Sequence, residues 1–166
     1  MSSTLDDLKE AFAGESQANR KYLAFARKAE QDGHPQAARL FRAVAEAETV
    51  HALSHLRAMG GIGGTADNLK NAVDGEVYEF KSMYPPMIER AKAAGEKQAL
   101  RSFEFAKAVE EIHAGLYQKM LDGLGGSDAE QYPYFVCPVC GHTAERGAPD
   151  TCPICGAKGS SYIRID

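Results

Sequence analysis

Two Glu-x-x-His pairs constrain this chain more than any other feature of its 166 residues. Glu48 precedes His51 by three positions, and Glu110 precedes His113 by the same interval. Residues three apart lie on one face of an α-helix, and apolar residues at heptad spacing continue both faces. A carboxylate and an imidazole on a buried face cost free energy unless something pairs with them. A metal ion is the simplest single explanation for two such pairs.

Four long helical segments are predicted before residue 124. They run from about Ser3 to Gln31, from Pro35 to about Met59, onward from Thr65 or Asp67, and from about Glu96 to Leu124. Thr4 or Asp6 is expected to cap the first segment. Pro85 and Pro86 are expected to kink or briefly interrupt the third, because proline lacks the backbone N–H that a helix interior needs.

Further carboxylates interrupt the apolar stripes of these segments. With the two pairs they give the set Glu15, Glu48, His51, Glu76, Glu79, Glu110 and His113. Carboxylate oxygen and imidazole nitrogen together favour iron or manganese. The set is similar to that of ferritin-like di-iron proteins, where one Glu from each of two helices joins a Glu-x-x-His from each of the other two. Glu79 is an additional ligand candidate beyond that six-residue pattern.

A single Glu-x-x-His is weak evidence for a metal site, but five carboxylates and two histidines on four inward faces are hard to produce by accident.

Three other residues lie close to these apolar stripes. His55 continues the stripe of the second segment and is expected to be a hydrogen-bonded histidine one turn beyond the site. Tyr22 and Tyr84 are expected to be core aromatics, or hydrogen-bond donors beside the metals.

The four cysteines form two Cys-Pro-x-Cys-Gly knuckles, with Cys137 and Cys140 in the first and Cys152 and Cys155 in the second. None is spare, and the start of the chain is polar and acidic, unlike a secretory signal. A metal site is therefore favoured over disulfides, and a cytoplasmic location is predicted. The spacing suits a rubredoxin-type iron or a structural zinc ribbon equally. The neighbouring redox site favours iron.

The sequence predicts a helical domain over 1–124, a hinge at 125–130 and a small β-containing module over 131–166. The fold class is therefore mainly α, a four-helix bundle followed by a metal module. With 19 basic and 23 acidic residues and no basic patch, nucleic acid is not an expected partner. No apolar run approaches the roughly 18 residues of a membrane span.

At the level of whole motifs the chain resembles the rubrerythrins, in which a ferritin-like di-iron bundle is followed by a rubredoxin-like domain. The motifs are Gly14 to Asn19, Glu48 to His51, Glu76 to Glu79, Glu110 to His113 and the two knuckles. The resemblance implies two iron ions in the bundle and one iron on the four cysteines. It also implies a peroxidase that reduces hydrogen peroxide in oxidative-stress defence. Electrons would come from an external rubredoxin or an NAD(P)H-dependent donor through the four-cysteine iron.

The resemblance also assigns roles to the ligands. Glu48 and Glu110 would bridge the two irons. Glu15 and Glu76 would each be terminal on one iron, and His113 would bind the same iron as Glu76.

The remaining assignments concern the reaction itself. Glu79 and His51 match the pair that the family exchanges at the second iron, with the harder ferric ion taking the carboxylate. Tyr22 and Tyr84 match the family's tyrosines beside the cluster. Two alternatives stay open: a protein that oxidises and holds iron without turnover, and an oxygen-activating bundle with a structural zinc ribbon.

The link between the second and third helices bears on assembly. In a ferritin-like bundle this link travels the full length of a helix, roughly 37 Å for about 25 residues. Even eight residues reach only about 28 Å. A homodimer is therefore predicted in which helices 1–2 of one chain pack on helices 3–4 of the other. A simple up-down-up-down bundle is the alternative.

Overall fold

The computed structural model describes residues 3–125 and 130–166. The chain is mainly helical with a small three-stranded sheet near its C-terminus, which confirms the predicted fold class. It divides into two compact units between Gly63 and Gly64. Residues 126–129, most of the predicted hinge, lie outside the described residues, and the domain boundaries at 124 and 131 stay predictions.

The first unit is a helical hairpin of α1 (Thr4–Gln31) and α2 (Pro35–Ala58). Alanines line the interface, among them Ala26, Ala38 and Ala45, each at most 1% exposed. Their small side chains let the two helix backbones approach closely over the full length of the hairpin. This close approach gives the carboxylates of both helices a common face.

The cap of α1 differs from the prediction. Ser3, rather than Thr4 or Asp6, is the capping residue, and its hydroxyl accepts the N–H of Asp6 at 3.2 Å. The Asp6 carboxylate accepts the N–H of Ser3 in return, at 3.0 Å. This reciprocal capping box satisfies two amide groups that would otherwise have no helical partner, which explains why Ser3 is favoured.

The second unit begins with α3 (Thr65–Tyr78), followed by a π-helical turn (Glu79–Met83), α4 (Tyr84–Ala94) and α5 (Lys97–Asp122). α3 and α4 both pack on α5. The predicted interruption before Pro85 is confirmed, but it takes the form of a wide turn in which Tyr84 N–H donates to Glu79 C=O, five residues back. Because Pro85 and Pro86 offer no N–H, the regular ladder could not continue here.

The sheet lies in the same unit as α5. Its strands are β1 (Tyr134–Val136), β2 (Thr143–Glu145) and β3 (Ile163–Ile165), in the antiparallel order β2-β1-β3. All three strands lie within the module that the sequence predicts to contain β-structure. β2 contacts α5. Among the described helices, none combines the length and the hydropathy needed to cross a membrane.

Candidate metal centres

The first candidate centre lies on the α1–α2 hairpin. Glu15 on α1 meets Glu48 and His51 on α2, and one ligand atom from each lies within 4.8 Å of the other two. The His51 Nδ1 atom is 2.9 Å from Glu48 Oε2 and 3.8 Å from Glu15 Oε1. The His51 side chain stays 55% exposed, so this group is open on one side.

The second candidate centre repeats this geometry in the other unit. Glu76 on α3 meets Glu110 and His113 on α5, again with one ligand atom from each within 4.8 Å of the other two. The His113 Nδ1 atom is 2.8 Å from Glu110 Oε2 and 3.9 Å from Glu76 Oε1. The structure therefore gathers the six predicted ligands into two matching groups of three, one in each unit.

A buried amide holds the first group in place. Asn19, 7% exposed, donates from Nδ2 to Ala45 C=O at 2.7 Å and to the Thr49 hydroxyl at 2.8 Å. Thr49 directly follows Glu48, and Asn19 lies one turn after Glu15. The cross-link thus fixes the register of the helices at the level of the ligands, and its two hydrogen bonds stabilise that register.

Crowding of carboxylates marks the second group as a cation site. Burial, followed by the negative charge of Glu110, raises the pKa of Glu76 to about 7. Burial and the charge of Glu110 also raise the pKa of Glu79, which lies on the π-helical turn. A bound cation would reverse these effects, because it stabilises the ionised form of each carboxylate.

The raised pKa of Glu76 predicts that the chain without metal in its Glu/His groups is more stable at pH 5 than at pH 8. The folded state keeps the proton up to about pH 7, whereas the unfolded carboxyl loses it near its ordinary pKa of 4.5. This contribution to stability is therefore fully present below the unfolded pKa and is lost as pH rises through about 7. The measurement is the melting temperature of protein whose four-cysteine site alone is loaded.

Two controls separate this effect from other titrations. Glu76→Gln cannot ionise, so its melting temperature should depend less on pH over the same interval. Iron loading should also flatten the dependence, because the cation keeps Glu76 ionised. An unchanged slope in Glu76→Gln would assign the pH dependence to other groups.

The structure places the remaining predicted residues in different surroundings. Glu79 and Tyr84 belong to the second unit, where burial, then the negative charge of Glu79, raises the pKa of Tyr84. Tyr22 lies in the first unit in an aromatic cluster with Phe25 and Phe41, at centroid distances of 6.3 and 6.2 Å. His55 lies in the last turn of α2, outside the two groups formed by the described residues.

All four cysteines converge on one point. Cys137 Sγ is 3.6 Å from Cys155 Sγ, and Cys140 Sγ is 3.5 Å from Cys152 Sγ, with all four sulfurs within 4.8 Å of one another. A tetrahedral metal–sulfur distance of about 2.3 Å requires sulfur–sulfur separations of about 3.8 Å. The four thiols therefore fit a tetrahedral metal ion without rearrangement of the backbone.

The knuckle glycines make the sulfur environment possible. Gly141 and Gly156 have φ angles of +86° and +76°, and each N–H closes a turn onto the first cysteine of its knuckle. This left-handed backbone favours glycine. It lets the following residue donate its N–H to the second cysteine's sulfur, His142 to Cys140 and Ala157 to Cys155. Such hydrogen bonds stabilise thiolate charge.

Two residues beside the sulfurs were missed by the sequence analysis. Tyr162 donates its hydroxyl to the Cys152 sulfur and lies 2.9 Å from Nδ1 of His142, whose side chain is buried. Burial opposes ionisation of Cys152, but the donors from Tyr162, Cys155 and Ile154 outweigh it and lower its pKa to about 6. The position of His142 directly after the first knuckle was the available sequence signal.

Donor chemistry supports iron in both kinds of site. Carboxylate oxygens with one imidazole nitrogen suit iron in the Glu/His groups, and four thiolates suit iron in the cysteine site. In each Glu/His group the Nδ1 atom faces a carboxylate at under 3 Å. Nitrogen and oxygen lone pairs at that distance repel unless a proton or a cation lies between them.

Comparisons with known proteins agree with these sites. The family model described as "Rubrerythrin" matches residues 6–121, and that described as "Rubrerythrin, rubredoxin-like domain" matches residues 135–162. The chain is 37% identical over 155 residues to "Rubrerythrin-2" of Clostridium acetobutylicum, covering 84% of each chain. It is 36% identical over 154 residues to "Nigerythrin" of Nitratidesulfovibrio vulgaris, covering 84% of this chain and 75% of the relative.

Solved structures give the same result for the fold. A partially reduced state of nigerythrin aligns with a TM-score of 0.60 and 31% identity over 99% of this chain and 88% of the other. The fully reduced, all-ferrous state of nigerythrin aligns with the same score, identity and coverage.

Proposed function

Because this chain belongs to the rubrerythrin family, we propose that it is a non-haem di-iron peroxidase that reduces hydrogen peroxide to water. The family makes it a di-iron oxidoreductase of oxidative-stress defence, with two iron ions at the Glu/His groups and one at the four cysteines. The observation that carries the peroxidase proposal is the combination, in one chain, of two matching three-ligand groups with a four-thiolate site. A protein that only stored iron would have no use for the four-thiolate site.

The chemistry requires two electrons and two protons for each peroxide, which becomes two water molecules. When bound, two ferrous ions supply the electron pair, and the four-cysteine iron supplies single electrons that restore it. In the proposed ligand set Glu48 and Glu110 would be bridging ligands, and Glu15 and Glu76 would be terminal ligands. Each carboxylate already faces the Nδ1 atom of the histidine in its group.

Tyr84 and Glu79 are two ionisable side chains beside the second group. The raised pKa of Tyr84 keeps its hydroxyl protonated, so the Oη–H group is a hydrogen-bond donor beside these carboxylates. Burial and the charge of Glu110 raise the pKa of Glu79 only while no cation is bound, so iron binding would favour its ionised, ligating form. We propose that Tyr22 has the role of Tyr84 at the first group, and that Glu79 and His51 would be alternative ligands of one iron.

An external electron donor belongs to this proposal. A rubredoxin or an NAD(P)H-dependent reductase would deliver electrons to the four-cysteine iron. A cytoplasmic location is also proposed, because four unpaired thiols held as metal ligands suit a reducing compartment.

Steady-state turnover tests the proposed activity. Iron-loaded protein, an NAD(P)H-dependent rubredoxin reductase and hydrogen peroxide should consume NAD(P)H continuously and in proportion to peroxide. An iron-holding protein would consume peroxide once per iron pair and then stop. A ferric four-thiolate site makes the protein red, whereas a zinc ribbon leaves it without that colour, so metal analysis and colour identify the third alternative.

Glu79→Ala is expected to slow peroxide reduction roughly tenfold or more while leaving two irons bound. The reason is that Glu79 lies beside the second group but is not one of the six ligands that the structure gathers. Turnover and iron content are the two measurements. Glu111→Ala, which removes an exposed carboxylate from α5, is the matched control. Unchanged turnover, or loss of one iron per chain, would contradict the proposed role.

We also propose a homodimer with exchanged helix pairs. Six residues separate the end of α2 at Ala58 from the start of α3 at Thr65, and they reach at most about 21 Å. α2 has 24 residues and is about 36 Å long. α2, which carries Glu48 and His51, also exposes apolar side chains, with Val50 58% and Leu53 42% exposed. A second copy that supplies Glu76, Glu110 and His113 would cover this surface.

A further inference from the structure

A hydroxyl in the cysteine module contacts a proposed di-iron ligand. The Oγ1 atom of Thr143, the first residue of β2, lies 3.0 Å from His113 Nε2. The same hydroxyl donates to Gly141 C=O at 3.1 Å. A threonine hydroxyl has one proton, so the oxygen must accept the Nε2–H of His113. This contact places the ring proton on Nε2 and leaves the Nδ1 lone pair toward Glu76 and Glu110.

Two further contacts fix the position of this hydroxyl against α5. Lys119, on α5, forms an ion pair with Glu145 of β2 at 2.5 Å between Nζ and Oε2. A Cβ atom built on Gly141 would lie 3.7 Å from Cγ1 of Val109, which is 2% exposed. The module therefore packs on α5 on both sides of Thr143, and the hydrogen bond to His113 does not depend on one flexible side chain.

The contact also connects the two kinds of site. Cys140 is bonded to Gly141, whose carbonyl accepts the Thr143 hydroxyl, and the Thr143 oxygen accepts the His113 ring N–H. A continuous path of covalent and hydrogen bonds thus leads from a four-cysteine ligand to a Glu/His ligand. Both ends of this path lie in the same compact unit.

We infer that Thr143 is a positioning residue that couples the four-cysteine site to the Glu76/Glu110/His113 group by fixing the tautomer and orientation of His113. The inference rests on the proposed function, in which His113 binds iron through Nδ1. Partners of the second ring nitrogen of a metal-binding histidine control both its orientation and its basicity. The hydroxyl itself does not titrate, so the coupling is a matter of geometry and hydrogen bonding.

Thr143→Val tests the inference because it keeps the shape of the side chain and removes its acceptor oxygen. Holoprotein carrying this change should lose iron from the Glu/His site to a chelator roughly tenfold faster than wild type. Thr143→Ser keeps the oxygen and should stay within about twofold of wild type. Thr151→Val, which alters an exposed threonine of the same module, should have no effect. The red colour of the four-cysteine iron should be the same in all four proteins.

A second measurement follows the coupling directly. Fully reduced protein is mixed with hydrogen peroxide, which removes two electrons from the di-iron site. Each four-cysteine iron then gives one electron to that site, and its oxidation produces the red colour. Thr143→Val should slow this colour change roughly tenfold, and Thr143→Ser should restore it. Lys119→Met removes the ion pair with Glu145 but keeps the Thr143 hydroxyl. If Thr143 only helped to dock the module on α5, Lys119→Met would slow the colour change as much as Thr143→Val does.

The outcomes are distinguishable. Equal iron loss and equal colour change in Thr143→Val and wild type would overturn the inference, as would equal slowing in Lys119→Met and Thr143→Val. If Thr143→Val loses its red colour, Thr143→Ala replaces it as the variant without a hydroxyl. Wild-type protein that shows no colour change with peroxide would refute the proposed peroxidase function. The chelator measurement would still decide the role of Thr143.

Discussion

Replacing Cys152 with serine is expected to abolish both the red colour and peroxidase turnover from an external donor. Cys152 is 2% exposed, and its sulfur lies 3.5 Å from that of Cys140. Serine offers a hard hydroxyl in place of a thiolate, so the tetrahedral iron site loses one of its four ligands. The helices should remain folded and keep two irons, because the six Glu/His ligands lie on α1, α2, α3 and α5. Absorbance, turnover, circular dichroism and iron content are the four measurements.

Single-turnover chemistry provides the internal control for this variant. Chemically reduced Cys152→Ser protein should still reduce about one peroxide per iron pair and then stop, because its Glu/His groups are intact. Thr151→Ser changes the neighbouring exposed residue and should retain colour and turnover. Continued turnover in Cys152→Ser would remove the four-cysteine site from the electron path. Loss of helical circular dichroism would show that the helices need the module in order to fold.

Mixing two inactive variants is expected to restore activity if helix pairs are exchanged between chains. Glu15→Ala damages the group on α1 and α2, and Glu110→Ala damages the group on α3 and α5. In an exchanged heterodimer, one site collects both lesions and the other site has none. Random pairing of equal amounts would therefore return about a quarter of wild-type activity. The measurement is peroxidase turnover after the two chains are refolded together.

A matched mixture makes this experiment decisive. Glu15→Ala and Glu48→Ala both damage the first group, so every site of every exchanged dimer keeps one lesion and activity should not return. The formation of heterodimers is checked with two affinity tags in both mixtures. If the Glu15→Ala and Glu110→Ala mixture stays inactive although heterodimers have formed, each site is built from a single chain.

Local sequence patterns predicted much of the fold and of the candidate sites. Heptad spacing predicted the helices that became α1, α2 and α5, because burial of an apolar stripe decides where a helix forms. The same spacing predicted Glu15, Glu48 and His51 among the inward-facing ligands, and the structure gathers these three within 4.8 Å. The knuckles identified a metal module because two residues between cysteines direct both sulfurs to one ion.

Contacts between distant segments required the tertiary structure. The missing N–H groups of Pro85 and Pro86 predict a break in the helix, but its π-helical form at Glu79–Met83 and its contact with α5 are seen only in the tertiary structure. The hydrogen bond between His113 and Thr143 joins residues 30 positions apart, and no local pattern encodes that distance. His142 was not among the predicted site residues. It is buried because the closing segment of the module brings Tyr162 against its ring. Helical periodicity and ligand spacing are short-range properties that a sequence displays directly. The hydrogen-bond partner of the second ring nitrogen of His113 depends instead on how the module packs against α5.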